Sequence, residues 1–240
     1  MTDITELKKM IHDSKNVCVF TGAGISCPSG IPDFRSANGL YNRIGTGNYR
    51  PEEIISHSFF TANTDQFYDF YKNNMVYPEA RPNAAHKYFS DLEKTGKTVT
   101  VITQNIDGLH SAAGSSRVYQ LHGCVKRNYC TKCGAYYDEN FIMNCDGVPK
   151  CPKDGKVIKP DVVLYDEPLD DAVVSKAIAA IKAADLMLVI GTSLVVYPAA
   201  SYIRYFHGDH LVLINKSETK LDGMADIVIN DNIINVVGKF

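Results

Sequence analysis

No run of apolar residues in this chain approaches the ~18 that a bilayer-spanning helix needs, so no transmembrane helix and no membrane partner are expected. Residues 1–13 are charged and amphipathic and lack the apolar stretch of a secretory signal. Cytoplasmic residence is the expectation. An excess of charge of one sign is missing too: 25 Lys and Arg stand against 27 Asp and Glu, for a net charge of -2. Composition therefore gives no support to direct nucleic-acid binding. There is no internal repeat and no low-complexity tract. Two parts of the dinucleotide fingerprint are also lacking. Gly22-Ala23-Gly24-Ile25-Ser26-Cys27 has the first two glycines but not the third, and no acidic residue is evident ~20 positions on. The second absence argues against a hydride-transferring dehydrogenase.

What is present is an ordinary globular composition. Of 240 residues, 45% are apolar and 22% charged, enough to bury one core with room for a small insertion. Ile4, Leu7 and Ile11 share one helical face, with Asp3 as a candidate cap. Apolar runs at 16–20, 99–103, 118–121, 162–164, 186–190, 211–214 and 227–229 read as strands. Several are short and continuous, as buried parallel strands are. Leu169, Val173, Ala177, Ile178 and Ile181 mark an amphipathic helix, and Pro198 and Gly208 bracket another. Strands alternating with helices predict an α/β fold with a doubly wound parallel sheet. Residues 36–81, rich in Tyr and Phe with a helical stretch at 64–74, read as a helical insertion. Residues 126–159, which hold the clustered cysteines, read as a second inserted module. The large part then comprises 1–35, 82–125 and 160–240 of a single domain spanning 1–240.

Chemistry gathers at the ends of these strands. The turn Thr21-Gly22-Ala23-Gly24-Ile25-Ser26 has the strand, turn and helix order of a nucleotide-binding unit, although an ordinary strand-to-helix turn would read the same. Gly30-Ile31-Pro32-Asp33-Phe34-Arg35 follows at once. Phe34 is placed to shield a reactive sugar carbon and Arg35 to meet phosphate; the plainer reading is a packed ring and a surface cation. Gln104-Asn105-Ile106-Asp107 follows one strand and His122-Gly123 another. Two amides, a carboxylate and an imidazole at strand ends are what a proton-transfer step on a nucleotide ribose needs. An imidazole with an ordinary pKa of ~6.5 suits a general base. His86 and His110 are ambiguous, while His12, His57, His207 and His210 have no such setting.

In a reducing compartment, clustered cysteines point to metal rather than to disulfides. Cys130-Thr131-Lys132-Cys133 and Cys151-Pro152-Lys153-Asp154 form two knuckles that read as a structural zinc site. Asp154 stands where a fourth cysteine is expected. Either Asp154 ligates through oxygen, as register favours, or Cys145 swings in, as ligand softness favours. Catalytic zinc is not expected, because no His or Glu accompanies the cysteines. Cys18 reads as a core residue and Cys124 as a neighbour of the site.

Taken in order, these two glycine-marked motifs, Pro82-Asn83-Ala84-Ala85-His86, Thr103-Gln104-Asn105-Ile106-Asp107, His122-Gly123, the cysteine knuckles and Gly191-Thr192-Ser193 resemble the sirtuin family, the NAD-dependent protein-lysine deacylases, in the form of a bacterial catalytic core. The resemblance implies a Rossmann-like large part and a small domain made of a zinc-binding module and a helical module. It implies NAD and zinc as cofactors and an acetyl-lysine protein or peptide as partner. The implied reaction moves the acetyl group to ADP-ribose with release of nicotinamide. His122, Asn105 and Asp107 would be catalytic, with His122 the base. Asp107 and Ile106 would meet the nicotinamide amide, Gln104 and Asn105 the ribose and nearby water, and Phe34 would exclude hydrolysis. Gly22, Ala23, Gly24, Cys27, Arg35, Gly191, Thr192, Ser193 and Asn215 would bind other parts of NAD. Val162, Val163, Leu164 and Tyr165 match the segment that takes the substrate backbone as an added strand. Tyr165-Asp166-Glu167 stands where the family often has Phe-Gly-Glu. Tyr71 matches the acyl pocket of sirtuins that prefer acidic acyl groups, but Asn74 replaces their arginine. A buried succinyl carboxylate would lack its partner, so acetyl or longer neutral acyl groups are expected. Protein mono-ADP-ribosyl transfer at the same NAD site is the alternative activity. A non-catalytic NAD sensor is a third reading, against which His122 and Asn105 argue.

Overall fold

The structure is a computed structural model and describes residues 3–34, 39–43 and 49–240. Nine strands are described: β1 Asn16–Thr21, β2 Thr98–Thr103, β3 Val118–Gln120, β4 Gly123–Cys130, β5 Tyr136–Asp138, β6 Ile158–Val162, β7 Leu186–Ile190, β8 His210–Ile214 and β9 Ile227–Ile229. The α-helices are α1 Asp3–Asp13, α2 Leu40–Arg43, α3 Pro51–Ile54, α4 His57–Ala62, α5 Thr64–Asn74, α6 Ala84–Glu93, α7 Leu109–Ala112, α8 Glu139–Asn144, α9 Asp171–Ala183 and α10 Ile233–Val237.

Six strands form one parallel sheet in the order β3-β2-β1-β7-β8-β9. Its residues alternate between two cores. Val17, Val19, Leu186, Leu188, Val212 and Ile214 face α1, α6 and α10. Cys18, Phe20, Met187, Val189, Leu211 and Leu213 face α9 and the 3-10 turn Ala199–Tyr205. Burial on both faces explains why these strands are continuous apolar runs with no polar side. The strand order reverses direction between β1 and β7. Thr21 pairs with Thr103 on one side and Ile190 on the other, Thr103 with Gln120, and Ile190 with Ile214. The loops leaving these residues therefore emerge along one sheet edge, at the point where a parallel sheet opens a ligand crevice.

A three-stranded antiparallel sheet, β5-β4-β6, lies beside it. Phe59, Phe60, Phe67, Tyr68 and Tyr71 of α4 and α5 share one core with Ile142, Ile158 and Val162. Tyr68 also donates its hydroxyl to the Ile158 carbonyl. The helical segment and the cysteine segment thus have a common interior. β4 runs across residue 126 and β6 across 159, so both expected boundaries of the cysteine module fall inside strands of the small sheet.

The strand expected at 162–164 lies earlier, at Ile158–Val162. Ile158, Pro160 and Val162 point inward, and Pro160 is tolerated because β6 is an edge strand. Residues 163–165 are apolar for a different reason. They are pinned between His122 and α4: Val163 N donates to the His122 carbonyl (3.0 Å), Tyr165 N to the Ile55 carbonyl (3.0 Å), and Tyr165 O accepts from His57 N (2.9 Å). Asp166 follows at φ 71°. It holds a left-handed conformation that glycine would adopt without cost and that Asp tolerates better than most residues.

Candidate active site and metal centre

The glycine turn after β1 is glycine because of its neighbour strand. A Cβ on Gly22 would come within 2.7 Å of Thr192 Cβ, and one on Gly24 within 2.7 Å of Gly191 Cα. Gly191 itself sits at φ 61°, and a Cβ there would be 2.5 Å from Ile25 N. Gly24 N donates to the Gly191 carbonyl at 2.8 Å. The loops after β1 and β7 therefore touch backbone to backbone at the reversal point of the sheet. This leaves a cradle without side chains, as a pyrophosphate requires.

The loop after β2 is tied into this cradle by its side chains. Asn105 Nδ2 donates to the Gly22 carbonyl and to Ser26 Oγ, each at 3.1 Å. Ser26 Oγ donates to Asp107 Oδ2 at 2.7 Å, and Leu109 N donates to Asp107 Oδ1 at 2.8 Å. Gln104 Nε2 reaches Thr192 Oγ1 at 3.0 Å, and Thr192 N donates to Asn215 Oδ1 at 2.9 Å. Burial raises the Asp107 carboxyl above its ordinary range, against the Leu109 and Ser26 hydrogen bonds that lower it. The Asn215 amide nitrogen is buried with no partner in the protein. An unspent donor beside a side-chain-free cradle fits a polar ligand such as NAD.

His122 lies between β3 and β4, where the chain leaves the large sheet for the small one. Gly123, at φ 75°, lets it do so: a Cβ there would overlap the Asp161 carbonyl at 2.0 Å. His122 Nδ1 bonds to the Gln104 carbonyl at 2.9 Å. A carbonyl only accepts, so Nδ1 carries the proton and Nε2 the lone pair. Burial pushes the His122 pKa down, and the Gln104 bond only partly offsets this. The ring is therefore a neutral base at pH 7.

Phe34 is half-buried against the small core and packs edge-on to Tyr41, with centroids 5.6 Å apart. Ile106 packs against the same core. Cys27 is half-exposed, its sulfur 3.5 Å from the Ala23 carbonyl and 3.8 Å from Asp33 Oδ2. Ser193 is exposed beside buried Thr192. Arg35 lies outside the described residues. Val162 and Leu164 are buried and Tyr165 exposed. Leu164 N donates to Glu167 Oε2 at 2.9 Å, so the N–H groups of 163–165 are all engaged within the protein. Tyr71 is fully buried with its hydroxyl unpartnered, and Asn74 Nδ2 donates to the Phe70 carbonyl at 3.0 Å.

Sequence reasoning gave no role to Ser26 or Asn83. Ser26 ties Asn105 to Asp107. Asn83 caps α6 and donates to the Ile25 carbonyl (2.8 Å) and Ser29 Oγ (2.9 Å), clamping the turn from behind. Its position before a helical run is an N-cap signal that could have singled it out. His86 and His110 prove to be fully buried neighbours, with ring centroids 4.7 Å apart.

Of the five metal-ligand candidates, four come together. The ligand atoms of Cys130, Cys133, Cys151 and Asp154 all lie within 4.8 Å of one another. Cys130 Sγ is 3.4 Å from each Asp154 oxygen, and Cys133 Sγ is 3.7 Å from Cys151 Sγ. Three sulfurs and a carboxylate fit tetrahedral zinc. Cys145 stays outside the cluster: it caps the C-terminus of α8, and its carbonyl accepts from Lys72 Nζ. Asp154 is therefore the fourth candidate ligand in the described geometry.

The Sir2 family model matches residues 22–198. An NAD-dependent protein deacetylase of Clostridium perfringens is 55% identical over 237 residues, covering 98% of this chain and 97% of that protein. One from Clostridium acetobutylicum is 50% identical, covering 96% and 94%. Among solved structures, a Sir2 histidine-to-alanine variant with deacetylated p53 peptide and 3'-O-acetyl ADP ribose superimposes with TM-score 0.88 at 36% identity, covering 98% and 96%. A Sir2 bound to acetylated peptide gives TM-score 0.84 at 34% identity, with the same coverage.

Proposed function

The chain belongs to the Sir2, or sirtuin, family and is an NAD-dependent protein-lysine deacetylase, and we propose that His122 is its general base. One observation carries the assignment: the Gln104 carbonyl holds the Nδ1 proton, and burial keeps the ring neutral, so Nε2 is free to take a proton. When bound, NAD would supply a ribose carbon bearing nicotinamide as leaving group and a ribose hydroxyl to receive the acetyl group. His122 Nε2 would take the proton of that hydroxyl. Asn105, oriented by Gly22 and Ser26, aligns the ribose. Asp107, fixed by Ser26 and Leu109, sets the nicotinamide end and places a carboxylate beside developing positive charge. Phe34 keeps water off the sugar carbon. Gly22, Ala23, Gly24, Thr192, Ser193 and Asn215 cradle the remainder of the dinucleotide. Zinc held by Cys130, Cys133, Cys151 and Asp154 would be structural.

An acetyl-lysine peptide docks along 162–165. The N–H groups of 163–165 are engaged, and the carbonyls of Val162, Leu164 and Tyr165 already accept from Lys159 Nζ, Glu167 N and His57 N, so peptide pairing here uses the Val163 carbonyl or the second lone pairs of the others. The acyl pocket has Tyr71 but no cation at Asn74, and Lys72 nearby is occupied by the Cys145 and Gly147 carbonyls. A succinyl carboxylate would enter unpaired, at a cost of several kcal/mol. All seven cysteines are free, and among the described residues no helix is long and apolar enough to cross a membrane. Cytoplasmic residence is proposed on the zinc reading, since metal-binding thiols are kept reduced there.

The test is product analysis across acetyl-, longer neutral and succinyl-lysine peptides incubated with NAD. Loss of acyl mass with O-acetyl-ADP-ribose formed is the expected outcome, with succinyl turnover at least tenfold slower. Peptide gaining the mass of ADP-ribose would instead mark ADP-ribosyl transfer, and equal succinyl turnover would overturn the pocket assignment.

A further inference from the structure

Tyr137, in β5, places its hydroxyl 3.0 Å from Cys151 Sγ. The ring packs on Phe141 of α8 with centroids 4.6 Å apart at 39°, and its strand registers Tyr137 opposite Asn128 of β4. A metal-bound cysteine is a thiolate with no proton of its own, so between these two atoms only the tyrosine can donate. Backbone donors serve the ligands as well: Lys132 N and Cys133 N point at Cys130 Sγ (3.4 and 3.5 Å), Lys156 N at Asp154 Oδ1 (3.0 Å), and the Lys153 and Asp154 N–H groups at Cys151, where Tyr137 adds the side-chain donor.

We infer that Tyr137 is a positioning residue for the metal, its O–H···S bond fixing the Cys151 thiolate and drawing charge from it so that the ion is retained. The inference rests on the zinc reading of the cluster. Two features give the bond weight in this chain. Cys133 is exposed, so competing ligands reach the ion from that side, while Cys151 is buried. Asp154 also supplies an oxygen where a softer sulfur would bind zinc more tightly. Retention therefore leans on the buried thiolates, and groups hydrogen-bonded to a metal's ligands change its affinity by about ten- to a hundredfold.

The experiment compares the zinc-loaded protein with Tyr137→Phe, which keeps the ring and removes only the donor, and with Phe141→Leu, which trims the packing beside the ring and leaves the donor in place. Zinc content is measured first, then the rate of transfer to a chromogenic chelator. The expected result is about one zinc per chain in all three, release about tenfold or more faster in Tyr137→Phe, and release within about twofold of wild type in Phe141→Leu. Cobalt(II) substitution gives a second readout. Losing the donor should move the sulfur-to-cobalt charge-transfer band to lower energy in Tyr137→Phe and leave it in place in Phe141→Leu. Equal release from wild type and Tyr137→Phe, each with one zinc, overturns the role of Tyr137 alone. An unmoved cobalt band, or Phe141→Leu releasing as fast as Tyr137→Phe, overturns it in favour of packing. A wild-type chain that binds no zinc sinks the metal reading, and this inference with it.

Discussion

The Gln104 carbonyl, 2.9 Å from Nδ1, can only accept, so it decides which nitrogen of His122 is left to act. Replacing that ring with alanine removes the proposed base but none of the bonds that assemble the cradle. His122→Ala should keep the fold and NAD binding while deacetylation falls about 10²- to 10⁴-fold. Ser26 makes an instructive contrast. Its hydroxyl accepts from Asn105 and donates to Asp107, yet it moves no proton in the reaction. Losing a hydrogen bond to a charged group costs about 1.5–3 kcal/mol, so Ser26→Ala should slow turnover about ten- to a hundredfold through misalignment. The pH profile separates the two roles. Burial lowers the His122 pKa, so activity should fall on acidification only below the ordinary ~6.5 of histidine. Ser26→Ala should retain that acid limb. Should it vanish there while persisting in His122→Ala, the two residues have been given the wrong roles.

At the scale of elements, legibility followed burial. Residues 64–74, 186–190 and 227–229 form elements where the apolar pattern predicts them, because a face packed against a core leaves a period in the sequence. The apolar stretch at 162–164 misled because a pinned loop and a strand both exclude water, and only the partners differ. The paired knuckles were readable from spacing, but the fourth ligand was not. Whether Cys145 reaches the cluster depends on how α8 ends, and that helix stops with the Cys145 carbonyl turned to Lys72. The consequence is measurable. Cys145→Ser should keep about one zinc per chain, whereas Asp154→Ala, which strips one of four donors, should fall well below it. Unchanged zinc in Asp154→Ala would remove the carboxylate from the ligand set.

Over the whole molecule, the motifs announced the strand-end site, but nothing in the local pattern announced what lies beneath it. His86 and His110 were ambiguous in sequence because a helical histidine looks the same whether it is solvated or sealed. In the fold they sit under the turn, with His110 Nε2 3.2 Å from Thr21 Oγ1 and His86 Nδ1 accepting from Asn83 N at 3.3 Å. His86 Nε2 and His110 Nδ1 have no partner. Burial lowers the His86 pKa to about 4, and burial, with the neighbouring His86, also holds that of His110 well below the usual value. A histidine depressed in the folded state binds its proton more readily when the chain unfolds. Stability from this source is complete above the unfolded value of ~6.5 and is lost as pH falls from there toward about 4. Between about pH 7 and pH 5, His86 alone should account for a loss of about 2 kcal/mol, and His110 and His122 act in the same direction. The surface carboxylate of Asp13, held at about 2, titrates below this window and does not mask it. Urea unfolding at the two pH values reads the effect. His86→Gln, uncharged throughout, should lose about 2 kcal/mol less than the wild type over that interval. Parallel losses in the two proteins would mean that His86 is protonated in the native state, and that the layer under the active site is wetter than its burial implies.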